Sequence, residues 1–227
     1  MPPKVADITD RLARLTSRIN EACHKAGRDP SEVSLVAVTK TLSADTIRAG
    51  LSAGLTVFGE NYIQEAQAKI NEINSSAVWH FIGHLQTNKA KYAVRLFDLI
   101  HSVDNIKLAR ELNKRAGSAG RGIPVLVQIN ISGEESKSGV SKDQAEELIH
   151  EVLEFPHLET RGLMTVPPFF ESPDLARPYF KALRELKEKI GPPLIDLSMG
   201  MTGDFEVAIE EGATIIRVGT AIFGPRA

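Results

Sequence analysis

The chain has 227 residues, 42% of them hydrophobic, with 27 basic and 29 acidic side chains for a net charge of −2. That length supports one substantial core, and the charge balance gives no reason to expect nucleic acid or an anionic membrane as the main partner. The single cysteine, Cys23, excludes an internal disulfide and a Cys-based zinc site and suits a reducing cytosol, no apolar run reaches the length of a membrane span, and Met1–Lys4 lacks the apolar core of a signal peptide.

Val5, Ile8, Leu12, Leu15, Ile19 and Ala22 recur at steps of three and four, which predicts an amphipathic helix over 5–26, ended by Gly27 and Pro30. Val33-Ser-Leu-Val-Ala-Val-Thr-Lys40 follows. Five of its first six residues are apolar and mostly β-branched, the composition of a strand buried on both faces of a parallel sheet. It ends on Lys40. Apolar surroundings favour a neutral amine, the nucleophile that forms Schiff bases with aldehydes and ketones, although an isolated lysine at a strand end ordinarily just reaches solvent. Ser43 can cap the next helix, whose apolar face includes Ile47 and Leu51, and Gly54 stops it.

Further strands are predicted at 56–59, 78–83, 99–103, 124–131, 158–166, 194–198 and 214–219, making eight with the first. Helices are predicted between them at about 61–73, 86–95, 105–117, 142–154, 174–190 and 203–211. Ser141 and Gln144 form a capping-box signature ahead of Ala145, Leu148, Ile149 and Val152. Strict alternation implies parallel strands with right-handed crossovers, and eight strands favour an α/β fold of one closed (β/α)8 TIM barrel. Little chain follows the last strand, so the extra N-terminal helix is expected to cover the barrel there. No linker or low-complexity tract divides residues 1–227, which read as one domain.

Active residues of such barrels sit at the C-terminal ends of strands. That rule gathers Lys40, Glu60 and Asn61, His80 with Gly83–Gln86, Met164, Ser198–Met201 and Arg217–Thr220. The loops Leu197-Ser-Met-Gly-Met-Thr-Gly-Asp204 and Val218-Gly-Thr-Ala221 lie where barrels often bind phosphate. Their small residues let backbone N–H groups approach, and Ser198 and Thr220 can donate hydroxyls. Ordinary turn chemistry would explain either loop taken singly. Arg217 interrupts an apolar run and, if buried, needs a partner. A guanidinium facing a pyridine nitrogen would keep that nitrogen unprotonated. His80 alternates with Trp79 and Phe81 and could equally be a structural histidine. Glu60 reads as a local hydrogen-bonding residue, whereas Asn61 could reach a ligand. The loop Glu134–Gly139 falls at the same rim. The six histidines show no paired metal-ligand spacing.

Gly59-Glu-Asn-Tyr-Ile-Gln-Glu65, His80-Phe-Ile-Gly-His-Leu-Gln-Thr-Asn-Lys89, Arg161-Gly-Leu-Met164, Leu197-Ser-Met-Gly-Met201 and Arg217-Val-Gly-Thr-Ala-Ile-Phe-Gly224, with Asn130–Gly139, closely resemble the pyridoxal phosphate homeostasis protein family, across nearly the whole chain. The resemblance implies a fold-type-III barrel like the N-terminal domain of alanine racemase, with pyridoxal 5'-phosphate (PLP) held as a Schiff base on Lys40. It further implies that Ser198, Gly219 and Thr220 hold the phosphate with Met199 in the same loop, that Arg217 faces the ring nitrogen, and that Asn61 and His80 sit beside the ring.

The implied function is a cytoplasmic carrier or buffer in PLP homeostasis without enzymatic turnover, expected as a monomer, with PLP-dependent apoenzymes as candidate recipients. A racemase-like enzyme is the alternative. Racemases of this fold take a second base, a tyrosine, from a further β-domain, which is expected to be absent here, and Tyr62 at a predicted helical position makes a poor substitute. A Schiff-base aldolase acting on a sugar phosphate is the third reading, but there the lysine usually comes from a later strand.

Overall fold

The structure is a computed structural model that describes residues 3–134 and 137–225. Its strands are β1 Ser34–Val38, β2 Val57–Glu60, β3 Val78–Phe81, β4 Leu99–Val103, β5 Ile123–Asn130, β6 Val140–Ser141, β7 Leu158–Met164, β8 Asp196–Ser198 and β9 Ile215–Val218. All pair in parallel, in the order β4-β3-β2-β1-β9-β8-β7-β5-β6, and a β4–β5 ladder closes the ring. Eight strands form the barrel, and β6 is a two-residue addition beside β5. The expected closed barrel is what the chain forms.

Strand alternation divides the core in two. Ala37, Ile100, Val125, Val127, Leu163, Leu197, Ile216 and Val218 join the large outer cluster shared with the helices. Their neighbours Val36, Leu99, Leu126, Met164 and Ile215 form a separate small cluster, the filling of the barrel. The inward set continues in polar residues: His80, His101, Ser198 and Arg217 are all buried.

Helices α1 Val5–Lys25, α2 Ala44–Ser52, α3 Ile63–Ile73, α4 Ala90–Leu96, α5 Ile106–Ser118, α6 Lys142–Leu153, α7 Arg177–Ile190, α8 Phe205–Glu210 and α9 Thr220–Phe223 surround the sheet. The α1 stripe Ile8, Leu15, Ile19, Ala22 and Cys23 is buried, and α1 packs against α2, α8 and α9. The N-terminal helix therefore covers the seam where α9 has only four residues. Ser43 caps α2 by accepting the Thr46 N–H at 3.3 Å, as its position predicts.

Several boundaries differ from expectation. Strand β1 ends at Val38, so Lys40 stands two residues beyond it in a turn where Thr41 has φ 65°. The stretches before α4 and α7 begin as 3-10 turns, at Thr87–Lys89 and Pro173–Ala176. Ser141 is the N-cap of α6, but its hydroxyl donates to the Gln144 side chain at 3.3 Å and caps no backbone amide, so the reciprocal capping box does not form.

Candidate functional site

A cavity of about 500 Å³ opens at the C-terminal ends of the strands. Lys40 enters it from the turn after β1, Val38 from β1 itself, and Arg217, Gly219 and Thr220 from the end of β9. Met201, Thr202, Gly203 and Asp204, between β8 and α8, complete one wall, and Val166, Pro167 and Phe170 form an apolar side. The Thr220 hydroxyl lies 3.2 Å from that of Thr202, so the two small-residue loops meet. Lys137 brings a second amine to the same cavity. Glu135 and Ser136 of the Glu134–Gly139 loop lie outside the described residues.

The β8–α8 loop has a specific local design. Gly200 has φ 93°, and its carbonyl accepts the Arg217 N–H at 3.0 Å, which ties the loop to β9. A Cβ at Gly200 would fall 2.6 Å from the Cβ of Ala208 and 3.0 Å from the Cα of Phe205, so α8 can pack this closely only on glycine. Asp204 accepts the Met201 N–H at 2.6 Å. Burial pushes its carboxyl upward, opposed by that hydrogen bond and by Arg217.

Arg217 is buried and so needs partners. Its guanidinium donates to Ser198 Oγ at 2.5 Å and to the Thr165 carbonyl at 2.9 Å. Burial pulls its pKa down to about 10, with Asp204 pulling the other way, so it stays charged at neutral pH. Behind Ser198 the polar string continues: His101 Nδ1 lies 2.8 Å from Ser198 Oγ, and His101 Nε2 lies 3.0 Å from His80 Nδ1. Burial holds His80 down to about 4, with Arg161 adding to the effect. His101, fully enclosed, is pushed well below the ordinary imidazole range by burial first and then by His80 and Arg217.

The structure therefore brings Lys40, Arg217, Gly219 and Thr220 to one cavity and sets the other sequence-predicted residues apart from its lining. Ser198 is one layer deeper, its hydroxyl engaged by Arg217 and His101. Met199 alternates to the outer face and packs in the core. Asn61, after β2, lines a neighbouring cavity with Tyr62, His84 and Gln86, and its Oδ1 is buried without a hydrogen-bond partner. His80 lines a cavity at the opposite, N-terminal mouth with Ser34, Leu99, Arg161, Asp196 and Thr214.

Sequence reasoning missed His101 and Lys69, and named Asp204 only as the end of a phosphate-type loop. For His101 the available signal was its inward phase in Leu99–Val103; for Lys69 it was the i,i+4 spacing from Glu65 on α3. Lys69 is buried against Glu60, 2.8 Å from its Oε1. Glu60 is the local hydrogen-bonding residue expected, and burial raises its pKa against the hydrogen bonds from Lys69 and Thr39.

An amine, a fixed guanidinium and two loops of small residues in one cavity suit a phosphorylated carbonyl compound. Among the described residues no cluster of three or more His, Cys, Asp or Glu could hold a metal ion, and no helix is long and apolar enough to cross a membrane.

The family model described as alanine racemase, N-terminal domain, matches residues 11–227. A pyridoxal phosphate homeostasis protein of Aquifex aeolicus is 46% identical over 222 residues, covering 96% of this chain and 97% of that one. Its namesake in Escherichia coli K12 is 40% identical over 228 residues, with 97% of each covered. Among solved structures, PipY of Synechococcus elongatus PCC7942 with PLP bound superposes with a TM-score of 0.86 at 35% identity, covering 96% of this chain and 100% of that chain. Alanine racemase of Corynebacterium glutamicum shares the fold, with a TM-score of 0.70 at 18% identity over 98% of this chain and 61% of that one. By motif, by full-length identity and by fold, this chain belongs to the pyridoxal phosphate homeostasis protein family, within the alanine racemase N-terminal-domain fold.

Proposed function

We propose that this protein binds pyridoxal 5'-phosphate and serves as a carrier or buffer of it, without enzymatic turnover. The observation that carries the reading is the convergence of Lys40, Arg217, Gly219 and Thr220 on one cavity. The donor set fits the group. An amine faces an aldehyde, the Thr220 and Thr202 hydroxyls and the amides of a glycine-rich loop suit a phosphate, and apolar side chains suit a ring. Bound PLP supplies a reactive aldehyde and an electron-accepting ring. Lys40, whose side chain enters the cavity, would hold the group through its aldehyde. Arg217, charged and fixed by Ser198 and Thr165, would oppose protonation of a ring nitrogen brought close to it, because two nearby positive charges repel strongly in a partly desolvated site. Ser198 acts in this reading by holding Arg217, while Asn61, in the neighbouring cavity, and His80, at the opposite mouth, are assigned no contact with the ligand.

The carrier reading, as against a racemase, is supported by the tyrosines. Tyr62 is 57% exposed and lines the cavity of Asn61, and Tyr179 stacks behind Phe170 with ring centroids 5.7 Å apart. Among the described residues that line the Lys40 cavity there is no tyrosine. A cytoplasmic monomer acting as one barrel domain, with PLP-dependent apoenzymes as recipients, completes the proposal.

The test is borohydride reduction of the PLP-loaded protein followed by peptide mapping, with Lys40→Ala as control. A pyridoxyl adduct on Lys40, with loss of the visible absorbance in the variant, is expected. Stoichiometric labelling of Lys137, the other amine in the cavity, would overturn the assignment.

A further inference from the structure

The turn that carries Lys40 is gripped from both sides by one charge cluster, in which Lys69 and Glu60 are buried and Glu65 is half-buried. Lys69, on α3, donates to the Thr39 carbonyl at 2.7 Å, to Glu60 Oε1 at 2.8 Å and to Glu65 Oε1 at 2.5 Å. An ammonium has three N–H bonds, so three acceptors saturate it. Glu65 Oε1 also accepts the backbone N–H of Thr41 at 2.5 Å, and the Thr39 hydroxyl donates to Glu60 Oε1 at 2.6 Å. The residues immediately before and after Lys40 are thus tied to each other through Lys69 and Glu65.

The backbone at this point needs such a tie. Thr41 has φ 65°, a left-handed conformation that is an outlier for a β-branched residue and persists only when its surroundings impose it. Burying a lysine with two carboxylates is a poor source of stability, since apolar residues of like volume often do as well. What the cluster does supply is a fixed direction for the chain on either side of one side chain.

We propose that Glu60, Lys69 and Glu65 are positioning residues, which set the Lys40 amine at the cavity rim in the geometry that reacts with a bound ligand's carbonyl carbon. This rests on the function proposed above. Lys69 fixes the carbonyl side of the turn and Glu65 the amide side, while Glu60 fixes Lys69.

The experiment uses the full chain and two probes: PLP, and 4-deoxypyridoxine 5'-phosphate, which keeps ring and phosphate but has no aldehyde. In Glu65→Ala, which removes the grip on Thr41 and leaves the Lys69–Glu60 pair, binding of the deoxy compound stays at the wild-type level. The rate at which the visible absorbance grows on mixing with PLP falls by about tenfold or more, the scale on which misplacing a reacting group is felt. Glu65→Gln, whose amide oxygen can still accept the Thr41 N–H, lies between. Lys69→Met shifts the same rate in the same direction; because it strands the Glu60 carboxylate and could unfold the chain, Glu65→Ala carries the decision. An unchanged linking rate in Glu65→Ala overturns the proposal, and so does an equal loss of deoxy-compound binding, which marks general structural support. If reduction of the wild-type protein places the adduct away from Lys40, the proposed function falls as well, an outcome distinct from failure of the variants alone.

Discussion

His101 Nδ1 lies 2.8 Å from Ser198 Oγ, and through that contact two buried histidines are joined to the Arg217 guanidinium. Arg217 can only donate, so Ser198 Oγ accepts from it and keeps both a lone pair and its own hydrogen to offer His101 Nδ1. The tautomer of His101 sets that of His80: when His101 Nε2 donates, His80 Nδ1 accepts, and when it accepts, His80 Nδ1 donates. The guanidinium thereby heads a hydrogen-bonded string of two rings across the barrel.

A pH dependence of stability follows. His80 has a folded pKa of about 4 against an ordinary 6.5, and His101 is displaced in the same direction. Between these values the unfolded chain binds protons that the folded chain refuses, so stability is lost as pH falls from about 6.5 towards 4. The full His80 shift corresponds to roughly 3 kcal/mol at 1.36 kcal/mol per unit. Urea unfolding at pH 7 and pH 5 measures it. His80→Gln keeps an acceptor for His101 and removes one titration, so its pH slope is shallower; identical slopes would count against the assignment.

Gly200→Ala should destabilise the protein by about 1–3 kcal/mol, because φ 93° and the close approach of Ala208 both oppose a side chain. It should also weaken PLP binding, since the loop shares a hydrogen bond with the backbone of Arg217. Gly203→Ala is the matched control: nothing lies within 4 Å of its Cβ position, so stability changes by less than about 0.5 kcal/mol. Thermal unfolding of both variants decides the matter, and equal effects would remove the special role of Gly200.

Hydrogen–deuterium exchange at the α-carbon of L-alanine and other amino acids tests the carrier against the racemase. With Arg217 charged and no tyrosine lining the described part of the cavity, exchange by the PLP-loaded protein should be far slower than about 1 s⁻¹, the low end of ordinary turnover. Exchange or racemisation at that rate restores the enzyme.

The barrel was legible because its signal is repetitive: apolar runs and amphipathic helices alternate along the chain, and small boundary errors do not alter the count. The site was legible only in part. Lys40, Arg217 and Thr220 could be placed from their positions at strand ends. Met199 belongs to the phosphate-type loop, but alternation with Ser198 turns its side chain into the outer core, beside Leu197. His101 stands in Leu-Ile-His-Ser-Val, indistinguishable from a core histidine until closure sets it beside His80. The turn at Lys40 departs from a plain strand end because Glu65 and Lys69, on α3, hold the backbone there, an influence no local pattern carries.

The docking of α1 has a consequence for synthesis. Arg18 pairs with Glu206, Lys25 with Glu210, and Arg28 donates to the carbonyls of Ile209 and Ala213, so the first helix is anchored to one of the last. On the ribosome, chains emerge from the N-terminus at about 5–20 residues per second, and long-range contacts wait for their later partner. The apolar stripe of α1 and the amine of Lys40 therefore exist for most of translation without α8, α9 or Arg217. The ring closes, and the cofactor can be captured, only after residues 205–223 have been made.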